Sequence, residues 1–277
     1  MRRHDLTAKQ IEDYGEYLHA EERSTGTVEK YLRDVGAFVR FLDGRPVTKE
    51  MAAGWKEALT APVTINSMLA ALNGLFRFLG WEECRVKFLK VQRRLFRDAG
   101  RELVRNEYDR LLEAARAQGQ ERLALLMETI CATGIRVSEV RYITVEAIRQ
   151  GRAEVSLKGK IRTILIPSKL ARKLAKYARK QQTVSGEIFL TGNGRSLSRR
   201  QIWAEMKRLC LRAGVAPTKV FPHNLRHLFA RTFYQATRDV AKLADVLGHS
   251  SIETTRIYLI STGAQHRRDL DRLRLVR

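Results

Sequence analysis

The chain has 277 residues, with 52 Lys plus Arg against 30 Asp plus Glu, a formal net charge of +22 and a pI of about 10.5. That length accommodates one large domain or two modest ones. The charge implies a polyanionic partner, nucleic acid first, bound by phosphate neutralisation and counterion release. A membrane span needs an apolar run of about 18 residues, which is missing, and the N-terminus MRRHDLTAKQ lacks the apolar segment of a signal peptide. An intracellular, soluble, cytoplasmic protein is expected.

In chain order, residues 1–84 read as a compact helical unit. Thr7 with Gln10 forms a capping-box pattern for a helix to about Glu21. Val28, Tyr31, Leu32, Val35, Phe38, Val39 and Leu42 keep helical spacing until Gly44 and Pro46 close the run. Thr48 caps a third helix carrying Trp55 and Leu59, and Pro62 starts a fourth carrying Ile65, Leu69, Leu72, Leu75, Phe76 and Leu79. Residues 85–105 change character: Arg85, Lys87, Lys90, Arg93, Arg94, Arg97, Arg101 and Arg105 recur every few positions, as in a basic interdomain linker lying across a phosphate backbone.

Residues 106–277 read as a second domain. Asn106 is the expected N-cap of a helix over 107–117, followed by another over 121–133 ending at Gly134. Segments 152–157 and 161–167 have strand character around the turn Lys158-Gly159-Lys160. Ser168 is the expected cap of a basic helix bearing Lys169, Arg172, Lys173, Lys176, Arg179 and Lys180, and helices follow over about 199–213, 223–236 and 240–247. Ser250 with Glu253 suggests a further capping box, which would set Tyr258 on a short helix. The fold class expected is mainly α with a small antiparallel β-sheet. Cys84, Cys131 and Cys210 are odd in number and far apart, which suggests neither disulfides nor a metal knuckle, and the apolar helical contexts of Cys131 and Cys210 suit buried structural thiols. With no Gly-rich phosphate loop and no acidic cluster, the chemistry is expected to need no metal and no cofactor.

Four segments carry chemistry-bearing residues in a fixed order: ATGIRVSEV around Arg136, LKGKIR around Lys158, FPHNLRH with His223 and Arg226, and LGHSSIETTRIYL with His249 and Tyr258. Each alone has a plain structural explanation. In this order and spacing they resemble the tyrosine recombinases, the family of the Xer resolvases and the phage and transposon integrases. The resemblance covers about residues 102–277 and extends more loosely to the helical N-terminal unit, which looks like that family's core-binding domain. It implies a two-domain, C-shaped clamp on double-stranded DNA carrying an inverted-repeat core site, assembled as dimers to tetramers on DNA. The reaction implied is cleavage and rejoining through a 3′-phosphotyrosyl link.

The residue types suit that reaction. Transesterification builds negative charge on non-bridging phosphate oxygens, which guanidinium forks stabilise by paired bonds. Arg136 and Arg226 are the candidate clamp, His249 a further donor, and His223 a donor or proton-transfer group one turn before Arg226. Tyr258 is the candidate nucleophile; a phenol is a poor one until a base or a cationic pocket activates it. Lys158 is the candidate general acid for the departing 5′ oxygen, and Glu139, at the acidic position of the family's RxSE motif, orients an arginine or histidine. Pairing the hairpin by its Lys-Gly dipeptide selects Lys158, whereas counting back from Pro167 favours Lys160. Lys87, Lys90, Arg93, Arg94, Arg97 and Arg101 are the candidate DNA contacts of the linker. Two other functions share parts of the pattern: a type IB topoisomerase-like relaxing enzyme, and a catalytically silent DNA-binding protein descended from integrases. An RNA-binding module explains the charge but not the ordered motif.

Overall fold

A computed structural model of the chain describes residues 3–90, 99–157, 160–258 and 263–273, and the chain divides into two units, Met1–Arg93 and Arg94–Arg277. The first unit holds α1 (Ala8–Ala20), α2 (Thr25–Leu42), α3 (Lys49–Ala58) and α4 (Pro62–Phe78). The Thr7–Gln10 capping box is formed, Thr48 accepts the Met51 amide, and Pro62 takes the first turn of α4, as the sequence suggests. Helix α4 serves two apolar clusters. Leu69, Leu72 and Phe76 pack with Phe38, Trp55 and Trp81, while Leu75 packs with Tyr14, Leu18, Val28 and Val35. Because it is apolar on two sides, α4 is the axis of the unit.

Two asparagines of α4 extend that axis into the basic segment. The buried Asn73 carboxamide donates to the Val86 carbonyl at 2.9 Å and accepts the Val86 amide at 3.0 Å, and Asn66 does the same for Leu89 at 2.9 and 2.8 Å. Residues 85–90 are thereby bound to the first unit. The far end of the same basic stretch belongs to the second unit: Leu103 is 1% exposed in its core, and Arg231 bonds Glu102 and the Leu103 carbonyl.

The second unit runs α5 (Arg105–Ala117), α6 (Glu121–Thr133), a 3-10 turn (Val137–Tyr142), α7 (Val145–Gln150), strands β1 (Arg152–Leu157) and β2 (Lys160–Leu165), α8 (Ser168–Lys180), α9 (Arg199–Ala213), α10 (Pro222–Thr237), α11 (Val240–Leu247), α12 (Ile252–Arg256) and α13 (Gly263–Arg272). Its main core gathers Leu123, Met127 and Ile130 of α6 with Leu174, Met206 and Leu225. The hairpin alternates as a one-sided sheet should: Ala153, Val155, Ile164 and Ile166 are buried, while Ile161 and Leu165 face out.

Several local expectations shift. Helix α5 starts at Arg105, not after Asn106, because Glu107 reaches back to accept the Val104 amide at 3.0 Å. Ser168 is the first residue of α8 and makes no capping bond; Pro167, which cannot donate, precedes it. The cap of α12 is Ser251, whose hydroxyl accepts the Glu253 amide at 3.2 Å, so Ser250 is not the cap, and Tyr258 lies in the turn beyond the helix. Lys160 pairs with Leu157 at the start of β2, so it is a strand residue and not part of the turn.

Asn73→Ala leaves the Val86 amide and carbonyl buried and unpaired, and one such group costs about 1–3 kcal/mol. We expect chemical unfolding to show the first unit less stable by about 2 kcal/mol, with faster amide exchange at Val86 and no change in the second unit.

Candidate active site

The site is built where α6, α10 and α11 end against one another. Helix α6 stops at Gly134, whose φ of +65° is readily open only to glycine and whose missing Cβ leaves room for the Phe229 ring of α10. That close approach brings Arg226, on the second turn of α10, under the end of α6. Arg226 is 2% exposed. Its guanidinium donates to the Gly134 carbonyl, to the Leu247 carbonyl at 2.9 Å, to His249 Nε2 at 3.0 Å and, through Nε, to the Tyr258 hydroxyl at 3.5 Å. Burial pulls the Arg226 pKa below its ordinary value, and the Tyr258 hydroxyl bond opposes that shift.

Arg136 follows Gly134 by two residues and is half-exposed. Glu139, on the 3-10 turn, is 2% exposed. One of its oxygens accepts from Arg136 Nη1 at 2.9 Å; the other accepts the Arg136 amide at 2.8 Å and a guanidinium N–H of Arg162. Burial alone would raise the Glu139 carboxyl, but the Arg136 amide and the Arg162 charge hold it below the ordinary carboxylate range. Arg136 also reaches the Gly248 carbonyl at 3.4 Å.

His249 lies between Arg226 and Thr255, with Nδ1 2.8 Å from the Thr255 hydroxyl. A guanidinium only donates, so His249 Nε2 accepts and Nδ1 carries the proton toward Thr255. Desolvation and the charges of Arg226, Arg136 and Arg162 lower its pKa to about 4. The same causes, partial desolvation first and then Arg226 and Arg136, lower His223. Tyr258 is 3% exposed, its ring packed with Ala230, Leu243 and Leu247. The His249 ring stacks near it at 5.8 Å, His227 meets it edge-on at 4.5 Å, and His223 lies 6.3 Å away.

Of the residues read from sequence, Arg136, Glu139, His223, Arg226, His249 and Tyr258 therefore meet at one place. Lys158 lies outside the described residues, as do Arg93, Arg94 and Arg97. Lys87 and Lys90 are exposed on the first unit, and Arg101 is exposed on the second. Arg162, His227 and Thr255 join the site without having been singled out. Arg162 had a signal, a charge at an inward register position opposite Val155; Thr255 had only its place six residues after His249. Among the described residues, one grouping has metal-ligand chemistry, His4 with Glu83 and Cys84 in the first unit. There His4 already pairs with Glu83 and stacks on Trp81.

The phage integrase family profile matches residues 101–264, and the profile of the phage integrase N-terminal SAM-like domain matches residues 11–83. Tyrosine recombinase XerD of Brucella suis is 31% identical, over 90% of this chain and 91% of its own. Tyrosine recombinase XerA of Pyrococcus furiosus is 28% identical, over 100% of this chain and 98% of its own. Among solved structures, a lambda integrase dimer bound to a COC′ core site superposes with a TM-score of 0.74 at 19% identity, covering 92% of this chain and 77% of that one. A buried arginine under two helix ends, a paired carboxylate and a tyrosine on the same arginine are gathered at one place in a mainly helical fold. The chain belongs to the phage integrase family, the tyrosine recombinases. No helix among the described residues is long and apolar enough to cross a membrane.

The lowered histidines set a pH dependence. A histidine held near 4 in the folded protein and near 6.5 in the unfolded chain favours unfolding once the unfolded chain takes up a proton that the fold refuses. Its neutral form is fully compatible with the fold above about 6.5, and that compatibility is lost as pH falls toward about 4. We expect the melting temperature of the second unit to fall through this window, and His249→Gln to flatten the fall when melting is followed against pH.

Proposed function

We propose that Tyr258 is the nucleophile of a site-specific DNA recombinase and that Arg136 and Arg226 clamp the phosphate it attacks. The observation that carries this reading is the Tyr258 hydroxyl resting 3.5 Å from Arg226 Nε, in the same chain and at the same focus as Arg136 and His249. The Tyr258 oxygen attacks phosphorus, the bond to the 5′ oxygen breaks, and a 3′-phosphotyrosyl link forms with the phosphodiester energy retained. Lys158 gives the proton to the departing oxygen, and His223, exposed beside the tyrosine, takes the phenol proton. Attack by a new 5′ hydroxyl reverses each transfer and joins the strands without ATP. Arg136 and Arg226 meet the charge that grows on the non-bridging oxygens, and His249 shifts to its Nε2–H tautomer, Nδ1 then accepting from the Thr255 hydroxyl, so that Nε2 donates to the phosphate.

The partner is duplex DNA with an inverted-repeat core site, bound by dimers that pair as tetramers. The exposed Lys87 and Lys90 and the basic stretch through Arg101 meet the backbone, positioning the protein without reading sequence. Helix α13 with the turn after it, where Leu270 and Leu273 are exposed among charged residues, is the element that couples protomers. The lambda integrase structures, a dimer on a core site and a tetramer on a Holliday junction, support this stoichiometry. A protein that works on the bacterial chromosome acts in the cytoplasm, at the nucleoid.

Tyr258→Phe should abolish the denaturation-resistant adduct on a nicked suicide substrate while binding to a half-site persists, because only the attacking atom is removed. An adduct at wild-type yield would remove the proposal. Lys158→Ala should be slow on ordinary DNA and recover when the 5′ leaving oxygen is replaced by sulfur, which departs without a proton. If Lys160→Ala shows that pattern and Lys158→Ala does not, the general acid is Lys160.

A further inference from the structure

We propose that Arg162 is a positioning residue for strand cleavage, one that locks Glu139, and with it Arg136, onto the carboxyl end of α11 beside His249. The inference rests on the recombinase reading above and adds a residue to it. Arg162 sits on β2 opposite Val155, on the face that buries Ala153 and Ile164, and its side chain is 14% exposed. Period-two alternation calls for an aliphatic residue there. One arm of its guanidinium donates to Glu139. The other donates to the Leu247 carbonyl, with the Val246 carbonyl at 3.5 Å. Glu139 passes the constraint to Arg136, whose own second arm returns to the Gly248 carbonyl. Hairpin, 3-10 turn and the Gly-His loop are thus closed into one ring of charge-assisted bonds.

Two further observations point the same way. Gly248 has a φ of +63°, and a Cβ there would run into the Arg162 side chain, with Nη1 only 2.7 Å away. The loop that presents His249 therefore turns directly over this arginine. Arg162 Nε is also buried without a hydrogen-bond partner. A buried ion pair with an unmet donor is a poor way to stabilise a fold, since an apolar side chain of similar volume often does as well or better. What the arginine supplies instead is planar geometry: two arms at a fixed angle that join a carboxylate to a helix end. Strand β2 also begins directly after the Lys158-Gly159 dipeptide. The residue that sets the arginine clamp thus lies four positions along the chain from the proposed general acid.

The test is single-turnover adduct formation on a nicked half-site at saturating protein, with melting temperature and half-site affinity measured on the same full-length variants. Arg162→Met should form adduct about 100-fold more slowly, the size expected when a reacting group is misplaced by about 1 Å, with half-site affinity little changed. Arg162→Lys keeps the charge beside Glu139 and should restore the melting temperature. It should remain at least about tenfold slow, because an ammonium cannot span both partners. Arg162→Met combined with Glu139→Gln should be no slower than the slower single variant, since both break one chain of contacts. A lysine variant that recovers rate together with stability would assign Arg162 to stability alone and overturn the inference, as would a folded methionine variant at wild-type rate. If the methionine variant does not fold, the lysine variant decides. Absence of adduct with the wild-type protein would sink the recombinase reading itself, whereas wild-type adduct with full-speed Arg162→Lys sinks only this inference.

Discussion

The Arg226 guanidinium is buried, and the partners it makes are dipoles: the carbonyls of Gly134 and Leu247, the His249 imidazole and the Tyr258 phenol. Both carbonyls close a helix, so α6 and α11 aim the negative ends of their dipoles at the charge. A carboxylate in their place would hold the arginine more tightly and cancel its field. Carbonyl ends satisfy the N–H groups while leaving most of the positive potential for a phosphate to feel. The rest of the site is arranged to allow this. Gly134 lets α6 stop close to α10, and α11 ends where Arg226 and Arg162 both find its last carbonyl.

Charge is then graded outward from that buried group. Arg226 is 2% exposed, the Arg162 side chain 14% and the Arg136 side chain 41%. Glu139 is shared by Arg136 and Arg162, so three guanidinium charges and one carboxylate leave two positive charges in excess at the focus. The group with most solvent access is Arg136, and the deepest, Arg226, holds the Tyr258 hydroxyl. Because these groups are fixed before DNA arrives, little reorganisation is needed when charge develops in the transition state. His249 fits the same logic. Held neutral by its cationic neighbours, it accepts from Arg226 in the free protein and does not add a further charge to a crowded site.

The helices were legible where local chemistry decides them. Thr7 with Gln10, Thr48, Pro62 and Gly134 each fix an end through a bond or a backbone angle that the residue itself dictates. Boundaries moved where a neighbour intervened: Glu107 pulled α5 back to Arg105, and Ser251 displaced Ser250 as the cap of α12. The grouping of Arg136, His223, Arg226, His249 and Tyr258 was legible because they lie in motifs with fixed spacing. Arg162 was not, although it stands in the quoted LKGKIR segment, because its partners lie 23 and 85 residues away and no local pattern announces them. The asparagines of α4 were hidden for the same reason. Their side chains define where residues 85–90 attach, yet on a helical wheel they are merely polar.

The placement of Tyr258 separates two tasks that a recombinase must keep distinct. Its ring is seated among Ala230, Leu243 and Leu247 of its own chain, and its hydroxyl rests on its own Arg226. On the reading proposed above, nucleophile and clamp therefore need no second protomer to meet. Coordination between subunits has to come from elsewhere, from a surface that a lone subunit leaves uncovered. Helix α13 and the residue after it have that character, with Leu270 65% and Leu273 58% exposed. The arginine cluster, anchored to helix ends, is by contrast held by contacts within one chain.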